Sequence, residues 1–509
     1  MGIFEKIFGR KNEFEQITQR KVTFDIPDFE TYNKFDQINS IFEYVFYPNF
    51  LIANKAAKAI HRLFNSVSVY YNKQLYNTFR HLTINSSDMK RFDHFDLELK
   101  VTLLSIASMN GNGYSREAAL DKLAAIKTKK SIPFVLFRLA DWVSPIRMKA
   151  EVIFKNFITE ENRLYFLQNY KLINWLIKVE RNDLAELFND VNDLLTSKPL
   201  KREELSMLSD GERFVYFSLF ARQEKLDSNM VFQMLNDKYY LIRLIVIKNI
   251  YKLNDRKVIV SELLSDKSQK VRLFAISTIK DQEIIYFEAI LWKLIFDSSS
   301  SIRNTARKLL DKIEKQDYTQ YYRTSLKRQK QIAASVLGLS EVGDQSDIGI
   351  IKSYLNSEKA KIQSAALSAI YNLNKDLAVN ISYQIILDKN SARAKRIAEF
   401  ILSVQGIDYD KLRQIYDKTD TTGKKVILRL FNRFSGWSVA GDFLKALTEN
   451  DVTLNCMAYA FLENWHFHTM RLATSQKAAD KDYVMIWYKK AKEIGLTVQE
   501  DIPFIFGEK

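Results

Sequence analysis

Apolar residues in this chain recur at the spacing of amphipathic helices, and the helices they predict come in pairs. Residues 258–280 contain one such pair, in which two apolar stripes flank the polar stretch 265–268. The stripes consist of Val260, Leu263 and Leu264 on one side, and of Val271, Ala275, Ile276 and Ile279 on the other. This pattern predicts two helices joined by a tight turn whose polar side chains cap the second helix.

The same turn pattern recurs about every 30 residues, which indicates a series of similar structural units. In the copies that begin at Asp141, Asp266 and Asp297, an Arg follows six residues later and an Ala nine residues later. With looser copies included, the turn residues are Pro48, Asn110, Asp141, Glu180, Ser209, Asp237, Asp266, Asp297, Ser325, Ser357, Asp388, Asp420 and Glu449. Such a repeat predicts a solenoid, in which each unit buries its apolar face against its neighbours.

Two positions in the repeat indicate how neighbouring units contact each other. The residue nine positions after the turn is small and lets helices approach closely; it is Ala57, Ala119, Ala150, Ala275, Ala306, Ala334, Ala366 and Ala458. The Arg six positions after the turn falls in the first turn of the second helix; it is Arg116, Arg147, Arg243, Arg272 and Arg303. We expect these arginines to pair with the Asp of their own or the adjoining turn, which would form an Asp–Arg ladder.

The D-x5-R-x2-A pattern with its two amphipathic helices resembles HEAT repeats, in particular the short bacterial HEAT-like type, over about residues 45–470. The resemblance implies an all-α fold, a right-handed α-α superhelix (a HEAT/armadillo-like solenoid) of about 12–14 helix pairs. Two repeats depart from the pattern, because Asp388 has Arg393 one position early and Asp420 has Val426 where Arg is expected. We expect those repeats to be offset or distorted.

Composition supports a long helical chain. It has 14 Gly and 6 Pro in 509 residues, well below the usual shares of about 7% and 5%, which leaves little turn chemistry for an all-β fold. We expect one extended array instead of several domains. Its parts are an N-terminal cap with a short amphipathic helix at 1–47, irregular first HEAT-like repeats at 48–109, a regular array at 110–470 and a C-terminal cap at 471–509.

The single cysteine and the N-terminal segment indicate where in the cell the protein acts. Cys456 alone excludes an intramolecular disulfide and fits the reducing cytoplasm, and no apolar run is long enough to predict a transmembrane helix. In the N-terminal segment, Ile3, Phe4, Ile7 and Phe8 fall on one helical face. In one interpretation this face binds an anionic membrane or docks in a groove of a partner protein. In the other, it belongs to a helix that caps the first repeat. We expect a cytoplasmic protein, with peripheral attachment at the inner membrane as the alternative.

Net charge points to an anionic partner, because 76 Lys and Arg stand against 61 Asp and Glu, a net charge of +15. The candidate basic surface consists of three clusters: Arg323, Lys327, Arg328 and Lys330; Arg393, Lys395 and Arg396; and Lys424, Lys425, Arg429 and Arg433. Second helices line the concave face in the family that this chain resembles, so the clusters would form a basic stripe there. The alternative is that these cations are solvated and keep a long solenoid soluble.

Catalytic motifs are absent from the sequence, which contains no P-loop, G-x-G-x-x-G, H-E-x-x-H or G-x-S-x-G pattern. HEAT-like DNA glycosylases suggest one enzymatic interpretation, in which Asp141, Trp142 and Trp175 lie beside a damaged nucleotide. The turn position of Asp141 and the packing of Trp142 explain these residues without catalysis. The remaining tryptophans, Trp292, Trp437, Trp465 and Trp487, are expected in the core or between repeats.

We therefore expect a non-enzymatic bacterial scaffold or adaptor that binds another protein, without a metal or a small-molecule cofactor. One alternative is a nucleic-acid-binding solenoid that uses the basic second helices. The other is a peripheral membrane adaptor recruited by residues 1–11.

Overall fold

The computed structural model describes residues 27–176, 183–434, 436–469, 477–498 and 502–507, without the side chains of Asn72, Leu176, Thr469 and Phe504. Every regular element in these ranges is a helix. The chain forms two compact units, Met1–Asn249 and Ile250–Lys509.

The first unit contains the α-helices α1 to α14. They are α1 (Ile38–Ile41), α2 (Phe50–Asn65), α3 (Asn72–Phe79), α4 (Leu97–Ala107), α5 (Gly113–Ile126), α6 (Ile132–Leu139), α7 (Ser144–Lys155), α8 (Arg163–Gln168), α9 (Tyr170–Leu176), α10 (Ala185–Leu195), α11 (Arg202–Ser206), α12 (Asp210–Arg222), α13 (Ser228–Leu235) and α14 (Tyr240–Lys248). The unit also contains 3-10 segments at Phe35–Gln37, Phe42–Phe46, Ser86–His94, Lys129–Ser131 and Glu160–Asn162.

The second unit contains the α-helices α15 to α30. They are α15 (Arg256–Leu264), α16 (Gln269–Ile276), α17 (Ile284–Leu294), α18 (Ser300–Leu310), α19 (Tyr318–Lys327), α20 (Ile332–Val342), α21 (Ile348–Lys352), α22 (Ala360–Leu373), α23 (Lys375–Leu387), α24 (Ala392–Gln405), α25 (Tyr409–Tyr416), α26 (Thr421–Phe434), α27 (Val439–Leu447), α28 (Val452–Thr469), α29 (Ala478–Glu493) and α30 (Ile502–Ile505). Its 3-10 segments are Ile250–Lys252, Asp281–Glu283, Gln345–Asp347 and Ser353–Asn356.

Helix pairs are the building block of both units, as the apolar stripes predict. In the pair α15–α16, the stripe residues Val260, Leu263 and Leu264 are buried against Val271, Ala275 and Ile276. The second helices of consecutive pairs then pack on one another, from α20 through α22, α24 and α26 to α28. The fold is therefore an all-α solenoid of stacked helix pairs, and the core runs between the two helix layers.

The small residues allow the close packing of second helices. Seven of the eight predicted alanines are fully buried: Ala57, Ala119, Ala150, Ala275, Ala306, Ala366 and Ala458. Ala334 is only half-buried, because its turn residue Ser325 lies inside α19 and the turn falls at 328–331 instead. At the corresponding place on α20, a Cβ on Gly338 would clash with the ring of Tyr322.

A ladder of ion pairs links the turns of successive repeats, which confirms the predicted Asp–Arg pairing for Arg116 and Arg272, whereas Arg303 pairs with Glu341 and Arg147 donates to the carbonyls of its own turn. The Arg272 Nε and Nη2 donate to Asp297 at 2.7 and 2.9 Å, while its Nη1 donates to the Asp266 carbonyl at 2.7 Å. Equivalent pairs join Arg116 to Asp141, Arg213 to Asp237, Lys395 to Asp420 and Lys424 to Glu449. Arg272 thus binds a carbonyl of its own turn and a carboxylate of the next turn, so it holds two neighbouring repeats in register.

The predicted side-chain capping is wrong for the Asp266 and Asp297 turns, whereas the turn residues Ser209 and Asp420 do accept backbone N–H groups of the helices that follow them. Asp297 precedes the N-cap Ser299 by two residues, and its Oδ1 accepts the Ser299 N–H within the turn at 2.8 Å. Neither Ser299 nor the corresponding Ser268 caps its helix with its side chain. The physical reason at Asp297 is its position: the helix begins only at Ser300, so the Asp297 carboxylate lies within the turn, where it accepts hydrogen bonds from the Ser299 N–H and from Arg272 of the preceding repeat.

The two departing repeats are offset, as expected. Helix α24 begins at Ala392, which places Lys395 instead of Arg393 at the ladder position, where its Nζ donates to Asp420 at 2.7 Å. In the next repeat, Lys424 takes the arginine's place and donates to Glu449 at 2.7 Å. The turn residue Glu180 lies outside the described residues, and the boundaries of the two caps and of the regular array stay predictions.

Candidate functional site

The first basic cluster does not lie on a second helix. Arg323 and Lys327 belong to the first helix α19, and Arg328 and Lys330 belong to the turn that follows it. Arg323 donates to Asp347 at 2.8 Å, whereas the other three side chains are exposed and make no ion pair within the described residues. The expected single stripe along the second helices is therefore wrong for this cluster, because the turn starts three residues later than the sequence pattern suggested.

Three cations of the other two clusters are engaged within the protein. Lys395 is completely buried in its pair with Asp420 and Lys424 is mostly buried with Glu449. Arg429 donates through Nε and Nη2 to Glu399 at 2.8 and 2.6 Å. These three residues are thus structural contacts, and the prediction that Lys395 belongs to a binding surface is wrong.

The Lys395–Asp420 pair also perturbs the titration of its carboxyl group. Partial burial raises the pKa of Asp420, but the hydrogen bonds from Lys395 and the Gly423 backbone outweigh burial, and the pKa lies below its ordinary value. Asp420 therefore remains ionised at neutral pH and neutralises the buried ammonium group.

Four cations remain exposed or half-exposed on the solvent-accessible faces of α24 and α26: Arg393, Arg396, Lys425 and Arg433. They make no ion pair in the part of the chain that the structure describes. Helical spacing brings Arg393, Arg396 and Phe400 to one face of α24. These four side chains are the part of the predicted basic surface that is available to a partner.

A groove of about 430 Å³ lies between these two faces. Arg396, Phe400 and Ser403 line it from α24, and Arg429 and Arg433 line it from α26. Glu399 also lines it and binds the Arg429 guanidinium. We name this feature the α24–α26 groove; it combines cations, an exposed aromatic ring and one paired carboxylate.

Aromatic and amide side chains extend the surface around the groove. The Phe400 ring, 56% exposed, lies 6.5 Å from the ring of Tyr371 on α22, whose hydroxyl accepts a hydrogen bond from Gln405 at 2.9 Å. On the other side, Asn464 on α28 donates to Asn432 on α26 at 3.1 Å. Sequence analysis missed Phe400, although an aromatic residue four positions after Arg396 on a polar helix face was a usable signal.

The residues of the glycosylase interpretation do come together, but not as a catalytic site. Asp141, Trp142 and Trp175 line one cavity in the first unit. Both Asp141 oxygens are occupied, by Arg116 at 2.8 and 2.9 Å, by Arg138 at 2.9 Å and by the Val143 N–H at 3.0 Å. A carboxylate with four donors has no free lone pair directed at a substrate, so the structure supports the turn interpretation of Asp141.

The remaining tryptophans contact other aromatic rings or cations. Trp465 is buried and stacks on Phe506 with ring centroids 6.2 Å apart, and Trp437 meets the same ring edge-on at 5.9 Å. Trp292 lies 4.7 Å from the ring of Tyr321, and Trp487 lies under two lysine ammonium groups. These contacts agree with a packing role between helices.

The predicted N-terminal anchor, Ile3, Phe4, Ile7 and Phe8, lies outside the described residues. None of the described helices combines the length and the hydropathy that a membrane span needs. The described residues also contain no group of three His, Cys, Asp or Glu side chains that could hold a metal ion.

Comparisons with known proteins return structural similarity only. No protein-family model matches the chain, and no curated protein matches it significantly. One similar solved structure is the karyopherin Kap121p bound to the SUMO protease Ulp1p, with 11% sequence identity and a TM-score of 0.35; the match covers 97% of this chain and 66% of that chain. Importin beta is another, with 12% sequence identity and a TM-score of 0.27; the match covers 92% of this chain and 76% of that chain. A homology model of the full-length AP-3 complex is also similar, with 12% sequence identity and a TM-score of 0.23; the match covers 94% of this chain and 95% of that chain. This chain thus spans about two thirds of Kap121p, and likeness at this level carries no inference about function.

Proposed function

We propose that this protein is a HEAT-like scaffold that binds an acidic, partly apolar segment of another protein in the α24–α26 groove. The observation that carries the proposal is the exposed ring of Phe400 between Arg396 and Arg433, two cations without an ion pair in the described structure. Arginine and aromatic side chains are the residues most enriched at protein–protein contacts. Such a groove suits a partner that carries both carboxylates and apolar side chains.

The groove favours a protein partner over a nucleic acid. A phosphate backbone needs a continuous row of free cations, but Lys395, Lys424 and Arg429 are already paired with carboxylates. We therefore rank nucleic-acid binding below protein binding, and we expect at most weak, salt-sensitive binding of DNA or RNA.

The ion-pair ladder supports a scaffold role because it holds consecutive second helices in register before any partner binds. A preformed groove lowers the entropic cost of binding. We propose that the protein acts in the cytoplasm and without catalysis; peripheral membrane attachment through residues 1–11 stays the alternative.

Fluorescence anisotropy tests the proposal with a short fluorescein-labelled peptide of alternating Glu and Leu, a labelled DNA duplex and vesicles containing phosphatidylserine. We expect the peptide to bind in preference to DNA, and the Arg396→Ser/Arg433→Ser variant to bind the peptide about tenfold more weakly. The matched control is Lys267→Ser/Lys315→Ser, which removes two exposed cations elsewhere in the second unit and should bind normally.

Equal weakening by both double variants would show that net charge alone is responsible, and it would overturn the assignment to the groove. DNA binding that is tighter than peptide binding and is lost in the Arg396→Ser/Arg433→Ser variant would establish the nucleic-acid alternative. Binding to anionic vesicles that disappears when residues 1–11 are removed, without peptide binding, would establish the membrane adaptor.

A further inference from the structure

The first unit contains a cavity of about 460 Å³ that the scaffold function does not use. It lies beside the turn between α6 and α7, and helices α3 and α9 form its other walls. Tyr76, Phe137, Trp142 and Trp175 contribute aromatic walls, and the Phe137 and Trp175 rings meet edge-on at 6.1 Å. Its size falls within the range of roughly 300–1,000 Å³ that is usual for small-molecule sites.

Positive charge is in excess on the lining of this cavity. Arg116, Arg138 and Lys73 line it together with a single carboxylate, Asp141. Asp141 accepts two bonds from Arg116 and one from Arg138, so one carboxylate is shared by two buried guanidinium groups. The lining therefore carries two cations more than it has anions.

Arg138 is the residue whose hydrogen bonding is incomplete. Its Nη1 donates to Asp141 at 2.9 Å, but its Nη2 has only the weak acceptor Sδ of Met109 at 3.5 Å, and its Nε has no partner. Burial lowers the pKa of Arg138 to about 10, so the guanidinium remains charged at neutral pH. A buried guanidinium with unused donors at a cavity wall is costly unless an acceptor reaches it.

We propose that this cavity binds a small planar aromatic carboxylate, with its ring between the aromatic walls and its carboxylate directed at Arg138. The aromatic side chains supply apolar area and edge or face contacts for the ring. The carboxylate supplies the acceptors that Asp141 cannot, because both of its oxygens are already engaged. Lys73, which is exposed, adds a second cation at the opening.

Isothermal titration calorimetry of the full chain tests this with 2-naphthoate and its neutral isostere 2-naphthamide. We expect 2-naphthoate to bind about tenfold or more tightly than the amide, because a bond between a carboxylate and a buried guanidinium is charge-assisted. Arg138→Met keeps the apolar stem of the side chain and should abolish the preference. Trp142→Ala should weaken the binding of both ligands, because it removes a wall without changing the charge.

Two exposed positions keep the test valid if Arg138→Met fails to fold. Lys73→Met should weaken 2-naphthoate binding several-fold and leave 2-naphthamide unaffected, while Lys129→Met, an equal charge change on an exposed residue outside the cavity, should change neither. Equal affinity for the two ligands, or the same loss in Lys73→Met and Lys129→Met, would overturn the proposal. Undetectable binding of both ligands would also overturn it. None of these outcomes bears on the α24–α26 groove, which belongs to the second unit.

Discussion

The ion-pair ladder makes a quantitative prediction at Asp297. Replacing Asp297 with Ala removes both acceptors of the Arg272 Nε and Nη2 and the acceptor of the Ser299 N–H. Removing one partner of a buried ion pair costs about 3–5 kcal/mol. The Arg272 side chain is 13% exposed and keeps its bonds to the carbonyls of Asp266 and Lys267, so we expect a cost at or just below the lower limit of that range, about 2–3 kcal/mol.

A double-mutant cycle separates the ion pair from the turn. Arg272→Met alone, Asp297→Ala alone and the two together are compared by urea unfolding at neutral pH. We expect the double variant to be more stable than the sum of the single changes predicts, with a coupling energy of about 1–3 kcal/mol, because it leaves no unpaired buried charge. Repeat arrays can unfold in steps, so hydrogen exchange of α16 and α18 provides a local second readout.

The control for the cycle is the Asp281–Lys312 pair in the same unit, whose side chains are 76% and 51% exposed. Asp281→Ala should change stability by no more than about 0.5 kcal/mol. If Asp297→Ala were as mild as Asp281→Ala, or if the coupling energy were near zero, the ladder would not hold the units together and our account of the turn pattern would be wrong.

Three further predictions concern packing, the two classes of cations and alkaline pH. Gly338→Ala should destabilise the protein by about 1–3 kcal/mol in thermal unfolding, because the new Cβ would meet the buried Tyr322 ring. The control is Gly349→Ala, whose new Cβ would have no neighbouring atom within 4 Å, and it should be neutral or slightly stabilising. Equal effects of the two substitutions would contradict the packing argument. Lys395→Met should lower the melting temperature, because Lys395 is buried with Asp420, whereas the exposed Arg396→Met should leave it unchanged; the reverse order would contradict the division between ladder and groove cations. Burial raises the pKa of Tyr165 and Tyr170 to about 12. The tyrosines of the unfolded chain, with pKa values near 10, lose their protons first, so the free energy of unfolding should fall between about pH 10 and pH 12. Urea unfolding measured together with tyrosinate absorbance tests this, and a constant free energy of unfolding across that window would refute the assignment.

Sequence reasoning reached the helix pairs and the ladder because both depend on spacing along the chain. Apolar residues at intervals of three and four can only form a common face on a helix, and Ala275 and Ile276 are buried as that face requires. The Arg and Asp of the turns recur at the repeat length, so the spacing predicted that Arg272 pairs with the Asp of its own or the adjoining turn, and the structure shows that the partner is Asp297 of the adjoining turn. The role of the Asp within the turn does not follow from spacing, because a helix that starts two residues later turns an N-cap into an acceptor inside the turn, as at Asp297.

The candidate site was predicted only in part for the same geometric reason. Arg393, Lys395 and Arg396 are chemically similar and almost adjacent, and each step along a helix turns the side chain by about 100°. The start of α24 at Ala392 directs Lys395 into the ladder and leaves Arg393 and Arg396 exposed. Composition and charge could not distinguish these cations.

The sequence by itself determined the fold class, the repeat and the chemistry of the contacts between units, because these follow from periodic, local spacing. Only the tertiary structure decided which cations are free and which residues share a cavity. Tyr76, Arg138 and Trp175 are far apart in the chain and meet because α3, α6 and α9 pack around one turn. Such a meeting depends on how helices from different repeats pack in three dimensions, and no periodicity along the chain encodes it.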